Sequence, residues 1–154
     1  MTLLRQHFDV DVTDAMPAAA QTAPITIAGT VVVDPEALRA DPVVVLATPG
    51  GTYKRNYWDL QPPGRSGYSQ AEWTAARGDV FVALDYLGGG DSSRPADGDF
   101  MTLEVAADAA HMVFERVRRW LADGFLVALV RDVGKIACDL EHHALTSLTA
   151  FGPS

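Results

Sequence analysis

The sequence contains a single cysteine, Cys138, among its 154 residues, and basic residues are scarce. One cysteine excludes an internal disulfide and leaves a thiol-rich metal site without ligands, so neither a metal nor another cofactor is expected. Lys and Arg number 12 against 20 Asp and Glu, which gives a net charge of −8. Nucleic acids and anionic membranes bind clustered cations, so neither is expected as a partner.

Long apolar runs are also missing. No stretch approaches the roughly 18 uninterrupted apolar residues of a transmembrane helix. Residues 1–20 have an acidic middle and no continuous apolar core, which does not fit a secretory signal. A chain without disulfides suits a reducing compartment, so we expect a cytoplasmic protein. The length and the 48% hydrophobic content predict one globular domain over residues 1–154.

Short β-rich runs predict the sheet. Alternation between residues 3 and 12 indicates a half-exposed edge strand, and residues 25–33 form a second run that would pair with it antiparallel. Residues 43–47 and 80–84 indicate strands buried on both faces, and the spacing between them predicts a parallel βαβ unit. Residues 125–130 predict a third parallel strand. The fold class is therefore α/β, with a sheet that is antiparallel at its N-terminal edge and then parallel.

Two helices are predicted beside these strands. A capping box that starts at Ser69 begins a short helix over residues 70–76, and Gly78 is a suitable stop. A longer helix over about residues 102–122 carries apolar residues at helical spacing, which we interpret as core residues. They are Val105, Ala109, Met112, Val113, Val117, Trp120 and Leu121. His111 lies beside them and is interpreted as a boundary residue rather than a base or a metal ligand.

Both parallel strands end in a turn rich in glycine. Residues 49–53, Pro-Gly-Gly-Thr-Tyr, follow the first strand, and α/β proteins keep their ligand sites at the carboxyl ends of strands. Glycine lets backbone N–H groups approach a ligand closely, so this turn is a candidate anion or oxyanion site. The second turn, residues 85–95, has contiguous glycines without the spacing of a nucleotide-binding loop, and its acidic residues would repel phosphate.

The polar segment between the first turn and the short helix, residues 54–68, contains Tyr57 and Trp58. Connections of this length are often functional. Two interpretations of the aromatic pair remain open at this point: the rings line a substrate cleft, or they cover the sheet edge.

In their order and spacing, the two glycine-rich turns resemble motifs of the α/β-hydrolase family. A Pro-Gly-Gly turn with a following aromatic, here residues 48–53, precedes a strand ending in D-x-x-G-x-G-x-S-x-x-P, here residues 85–95. The resemblance covers about residues 25–130, the N-terminal half of that fold. It implies esterase-like acyl hydrolysis of a small-molecule substrate, with an oxyanion N–H from Gly51 or Thr52. The oxyanion- and substrate-binding residues that it implies are Gly50, Gly51, Thr52 and Tyr53.

The nucleophile of that family is not evident. The family places it in a G-x-S-x-G turn after the next strand, where this chain has Ile136 at the position of the serine. Cys138 and His142 are four residues apart, so on a helix they would share a face, and a Cys–His pair can form an activated thiolate. They are the candidate catalytic residues. The strands that would carry the family's acid and histidine are not found after Cys138, which predicts an incomplete hydrolase domain.

Three hypotheses follow from the sequence. The first is an esterase-like hydrolase of the α/β-hydrolase type. The second is a non-catalytic remnant of a truncated hydrolase, whose exposed sheet edge would favour self-association. The third is a small doubly wound domain that uses the two glycine-rich turns to bind an anionic ligand.

Overall fold

The computed structural model describes residues 3–123, which form a four-stranded mixed sheet with two α-helices. The strands are β1 (Leu4–Asp11), β2 (Thr26–Val33), β3 (Val44–Ala47) and β4 (Val80–Leu84). The helices are α1 (Gln70–Ala76) and α2 (Leu103–Ala122). The sheet order is β1-β2-β4-β3, in which β2 is antiparallel to both of its neighbours and β3 is parallel to β4.

This sheet confirms the predicted α/β class and the predicted change from antiparallel to parallel pairing. β1 lies at an edge, and β3, α1 and β4 form the parallel βαβ unit. All residues of β4 are buried, as expected, but those of β3 are only half-buried, so the expectation of burial on both faces is wrong for β3. The reason is position, because β4 lies between two strands whereas β3 pairs only with β4 within residues 3–123.

Helix α1 begins and ends where the sequence predicted. The Oγ of Ser69 accepts a hydrogen bond from the N–H of Glu72 at 2.9 Å, which is the N-cap half of a capping box. The Glu72 carboxylate accepts instead from Arg5 at 2.7 Å. Beyond the helix, Gly78 has φ +84°, and a Cβ there would lie 2.4 Å from the carbonyl oxygen of Ala37. Glycine is therefore required at that position by conformation and by space.

Helix α2 covers one face of the sheet. The Oγ1 of Thr102 caps it by accepting from the N–H of Val105 at 3.3 Å. The predicted core residues all pack there, some buried and some partly buried. They are Val105, Ala109, Met112, Val113, Val117, Trp120 and Leu121. His111 is exposed, in agreement with its assignment as a boundary residue. Neither described helix has the length and hydrophobicity to cross a membrane.

The opposite face of the sheet has a smaller apolar cover. The seven-residue helix α1 places Ala71 and Ala75 against Val32, Phe81 and Ala83 of the sheet. Partly buried side chains from β3 and the following segment complete this second cluster. Because the cover is short, this face has room for polar side chains of β1 and of the segment after β3.

A contact between Phe8 and Gly29 joins β1, β2 and α2. The two residues are direct partners in the antiparallel register. The far edge of the Phe8 ring lies over Gly29, where an added Cβ would meet the ring at 2.2 Å. The same ring packs edge-to-face on Trp120, with the centroids 5.5 Å apart. Glycine at position 29 therefore makes the space in which the ring reaches the helix.

We predict that Gly29→Ala destabilises the protein by about 1–3 kcal/mol, because the Phe8 ring must move out of its contact with Trp120. Gly98→Ala is the matched control, since a Cβ there meets nothing within 4 Å. Urea unfolding followed by circular dichroism measures both. Equal stability of the two variants would show that the ring shifts without loss of packing.

Arg5 holds the edge strand β1 to the segment that precedes α1. Its guanidinium binds the carboxylate of Asp59 at 2.7 Å and that of Glu72 at 2.7 Å. Asp59 also accepts from the hydroxyl of Ser69 at 2.6 Å. Burial by itself would raise the pKa of Asp59, but the hydrogen bonds from Arg5, Ser69 and Gln61 outweigh it and lower the pKa.

A carboxyl group whose pKa is lower in the folded than in the unfolded protein stabilises the fold at pH values above the unfolded pKa, about 3.9. This stabilisation is lost as the pH falls through the folded pKa. We therefore predict that Asp59→Asn lowers the free energy of unfolding by about 1–2 kcal/mol at pH 7. The difference from wild type should shrink steadily in urea titrations below about pH 4. Asp99→Asn, at an exposed position, is the control. A difference that stays constant down to pH 2 would contradict the electrostatic explanation.

Candidate functional site

The two glycine-rich turns lie side by side at one edge of the sheet. β3 and β4 are parallel and in register from Val44 opposite Val80 to Ala47 opposite Ala83, so both chains leave the sheet at the same end. The hydroxyl of Tyr86, after β4, donates to the Oγ1 of Thr48, after β3, at 3.3 Å. The structure therefore brings together the two motifs that carry the family resemblance.

The turn after β3 has an unusual backbone conformation. The N–H of Tyr53 donates to the carbonyl of Gly50 at 3.1 Å, which closes a β-turn with Gly51 and Thr52 at its centre. Thr52 has φ +76°, and it is the only non-glycine residue with positive φ in residues 3–123. That sign at the second central position is typical of a type II turn, where glycine is the usual residue. A β-branched residue there is strained by about 1–2 kcal/mol.

We expected the glycines of this turn to let its backbone N–H groups approach a ligand closely. Neither Gly50 nor Gly51 has positive φ; the left-handed residue is Thr52. The surroundings of both glycines are open. A Cβ on Gly51 would meet nothing within 4 Å, and a Cβ on Gly50 would meet only the ring of Tyr53, at 3.6 Å. The approach to the backbone is therefore open at Gly51.

Two backbone donors of this turn are unused. Within residues 3–123 the N–H groups of Gly51 and Thr52 have no hydrogen-bond partner, and both residues are exposed. Pro49 before them is fully buried, which anchors the turn to the sheet. The predicted site residues Gly50 to Tyr53 therefore form one small exposed turn with adjacent free donors. Adjacent free N–H groups of this kind bind an oxyanion when they point to the same place.

A buried carboxylate, that of Asp85, ties this loop to β4. Asp85 is 1% exposed and follows directly after the strand. It accepts from the backbone N–H of Arg55 at 2.6 Å, and its second oxygen pairs with the Arg55 guanidinium. Arg55 also reaches Asp91 at 2.8 Å and lowers the pKa of that carboxylate. The position of the segment after the oxyanion-type turn is thus set by the residue that ends the neighbouring strand.

The turn after β4 is built around the same carboxylate. The N–H of Asp91 donates to Asp85 at 3.0 Å, and a Cβ on Gly90 would lie 2.2 Å from the carboxyl carbon. Gly90 therefore has to be glycine for the turn to close around Asp85. An external phosphate at this turn would compete with a carboxylate already bound there. The geometry gives no support to the anion-binding hypothesis at this second turn.

The serines of the second motif have structural partners. The Oγ of Ser92 accepts from the N–H of Ala28 at 3.0 Å, and that of Ser93 accepts from the N–H of Thr26 at 2.9 Å. Both hydroxyls are thereby held against the start of β2.

The aromatic residues after the first turn divide into two roles. Trp58 packs over Phe81 with ring centroids 6.3 Å apart and belongs to the apolar cover of the sheet. Tyr53 and Tyr57 are 57% and 45% exposed, and their rings lie 5.1 Å apart beside the turn. The sheet-covering interpretation therefore holds for Trp58, whereas the two tyrosines remain available to a ligand.

The remaining predicted site residues lie outside residues 3–123. These are the candidate catalytic pair Cys138 and His142, and Ile136 at the expected nucleophile position. The predicted strand 125–130 lies outside as well. The oxyanion half of the predicted site is thus described, and its nucleophile half is not.

Sequence reasoning missed the polar network around Asp85. The sequence pattern did indicate a buried carboxylate, because an aspartate that directly follows a buried strand and precedes three glycines can be enclosed by the turn. Its partners gave no signal, since Arg55 has no motif around it. A second missed pair is His7 and Thr30, whose Nδ1 and Oγ1 lie 2.8 Å apart on neighbouring strands.

Comparison with known proteins adds no assignment. No protein-family model matches the chain, and no curated protein matches it. The family resemblance therefore stays a prediction that rests on the two motifs.

We predict that Thr52→Gly stabilises the protein by about 0.5–1 kcal/mol, because relief of the left-handed strain exceeds the extra chain entropy of glycine. Thr22→Gly, at an exposed residue without positive φ, is the control and should be destabilising by a similar amount. Chemical denaturation gives both free energies of unfolding. Destabilisation by Thr52→Gly would mean that the side chain makes a contact worth more than the strain.

Proposed function

We propose that this protein is an esterase-like hydrolase of the α/β-hydrolase type, and that the turn Gly50–Tyr53 binds the oxyanion of the acyl-transfer step. The observation that carries the proposal is the strained turn with two free N–H groups at the carboxyl end of β3. A strained residue in a well-anchored turn is more common at functional sites than elsewhere. The family also takes one oxyanion N–H from the loop that follows β3.

The chemistry of this turn follows from where charge develops. When a nucleophile adds to an ester carbonyl, the carbonyl oxygen becomes negative, and fixed N–H donors stabilise that charge without reorganisation. The N–H groups of Gly51 and Thr52 are held by the turn closed between Gly50 and Tyr53. The substrate that fits this arrangement is a small carboxylic ester whose acyl group rests against the exposed tyrosine rings.

Asp85 and Arg55 act as positioning residues in this proposal. They touch neither the oxyanion nor the substrate. Their buried pair fixes the chain two residues after the turn, so the donors stay in place while charge develops. Preorganisation of this kind is what distinguishes an oxyanion site from an ordinary exposed turn.

The nucleophile in this proposal is Cys138, with His142 as its base. The described serines beside the turn, Ser92 and Ser93, accept backbone hydrogen bonds. The thiolate would add to the acyl carbon and the ester oxygen would leave as an alcohol, with the proton supplied by His142. Water would then cleave the thioester, release the carboxylate and regenerate the thiol. A non-catalytic remnant, which self-associates through its sheet edge, is the alternative hypothesis.

We predict that the protein hydrolyses p-nitrophenyl acetate and that Gly51→Pro lowers kcat by about 10²–10³. Proline fits the first central position of a type II turn, and the N–H that it removes has no structural partner in residues 3–123. Gly51→Ala, which keeps the N–H and meets no atom within 4 Å, is the matched control and should retain activity.

The outcomes of this assay separate the hypotheses. Equal activity of the proline and alanine variants would remove Gly51 from the oxyanion site. Loss of activity in Cys138→Ala would support the thiol nucleophile, whereas labelling by a fluorophosphonate would assign a serine instead. Absence of both turnover and labelling in the folded wild-type protein would overturn the hydrolase proposal in favour of the remnant.

A further inference from the structure

An open groove of about 480 Å³ lies between α1 and the segment that precedes it, and large exposed side chains line it. Four of the lining residues are large and apolar or aromatic, and each is 45–59% exposed. They are Tyr57, Leu60, Tyr68 and Trp73. The volume lies within the range of small-molecule sites, about 300–1,000 Å³. Accessible apolar surface that is gathered in one concave place, rather than scattered singly, indicates a binding surface.

The groove forms because the two ends of the segment before α1 meet. Asp59 and Ser69 form an antiparallel β-bridge, and the hydroxyl of Ser69 donates to the Asp59 carboxylate at 2.6 Å. The loop between them is therefore closed at its base, where its first and last residues are Leu60 and Tyr68. Trp73 is added by α1, whose N-cap is the same Ser69. The shape of the groove is thus fixed by the start of the helix.

Neighbouring side chains hold the rings of the groove in place. Tyr57 packs edge-to-face on Trp58 with the centroids 5.1 Å apart, and Trp58 packs over Phe81 of β4. The guanidinium of Arg77 lies over the ring of Trp73, 4.7 Å from its centroid, as a cation–π pair. A ligand therefore meets rings that are already ordered, which reduces the entropy cost of binding.

The lining favours an uncharged aromatic group. Within residues 3–123 no charged side chain lines the groove, so a charged group would lose hydration without gaining a partner. The polar side chains of Ser69 and Gln70 donate hydrogen bonds within the protein. Aromatic rings attract one another in edge-to-face and offset arrangements beyond the area that they bury, whereas a saturated ring gains from the buried area alone.

Tyr57 connects this groove to the turn Gly50–Tyr53. The rings of Tyr53 and Tyr57 lie 5.1 Å apart beside the turn, and Tyr57 also lines the groove. An acyl group that starts at the free N–H groups of the turn and follows these two rings therefore leads to the groove.

From these observations we propose that the groove binds an aromatic ring at the end of the acyl group, so that the substrates are esters of arylalkanoic acids such as 3-phenylpropanoates. The phenyl ring packs against Tyr57, Tyr68 and Trp73, while the carbonyl oxygen accepts from the N–H groups of the turn. The substrate class rests on the hydrolase function proposed above, whereas binding of the aromatic group requires no turnover.

The amide 3-phenylpropanamide tests the groove without hydrolysis, because it is neutral and lacks the ester. Titration of the full chain, followed by ¹H–¹⁵N NMR, should give saturable shifts at the amides of Tyr68, Gln70 and Trp73. We expect weaker binding of 3-cyclohexylpropanamide, which has a saturated ring in place of the aromatic one. Equal binding of the two amides, or shifts that fail to saturate, would overturn the aromatic groove even if the protein hydrolyses esters.

Tyr68→Ala should weaken binding of 3-phenylpropanamide by about tenfold, because an exposed ring of the groove is lost. Tyr68→Phe keeps that ring and should restore binding. Leu103→Ala is the matched control, since Leu103 is 86% exposed on α2, which packs on the opposite face of the sheet. Equal weakening by Tyr68→Ala and Leu103→Ala would contradict the assignment of Tyr68.

Hydrolysis of two methyl esters, followed in a pH-stat, tests the substrate class. The ratio of kcat/KM for methyl 3-phenylpropanoate to that for methyl propanoate should be about tenfold lower in Tyr68→Ala than in wild type and in Leu103→Ala. An unchanged ratio would overturn the proposed substrate class. Saturable binding of the aromatic amide by a protein that hydrolyses neither ester would overturn the hydrolase proposal, and the ester class with it, and leave an aromatic binding site.

Discussion

The buried carboxylate of Asp85 is the interaction on which the arrangement of the site depends. It is fully desolvated, so its charge has to be compensated inside the protein, and it receives Arg55 and a backbone N–H from each of two loops. Removing one partner of such a buried pair typically costs about 3–5 kcal/mol, because the other charge is left uncompensated. The loops after β3 and β4 therefore cannot move independently. The ion pair between Arg55 and Asp85 joins the two segments that carry the sequence motifs.

The unequal faces of the sheet explain where polar chemistry is possible. On one face the 20-residue helix α2 covers the strands with a continuous apolar stripe. On the other, the shorter helix α1 covers only the centre, and the edge is completed by arginine, histidine and threonine side chains. Long side chains can bury their stems while their charged ends stay hydrated, so the cavity at this edge is lined by charged and polar residues, whereas the one beside α2 is lined mainly by apolar residues. The cavity at this edge is a consequence of helix length.

Local patterns in the sequence predicted much of the fold. The alternation in β1, the N-cap at Ser69 and the apolar stripe of α2 each arise from interactions within a few residues, and the structure has all three. The half-burial of β3 could not be predicted, since an apolar run does not reveal how many neighbours its strand has. The left-handed Thr52 was missed for a related reason: propensity assigns positive φ to glycine, whereas anchoring by Pro49 and the turn closure override that preference. Contacts between residues far apart in sequence, such as Arg55 and Asp85, depend on the topology of the sheet, which no local pattern reveals.

The hydrogen bonds that Ser92 and Ser93 share with β2 have a consequence for aggregation. β4 ends opposite Gly29, which would leave the outward-facing groups of Thr26 and Ala28 open as a template for strand addition. The hydroxyls of the two serines accept from both N–H groups, while the N–H groups of Ser93 and Asp85 bond to both carbonyls. The loop thus continues the hydrogen-bond ladder of β2 beyond the end of β4, with side-chain hydroxyls as well as backbone groups. A motif that resembles a catalytic signature serves here as a cap that denies another chain access to the sheet.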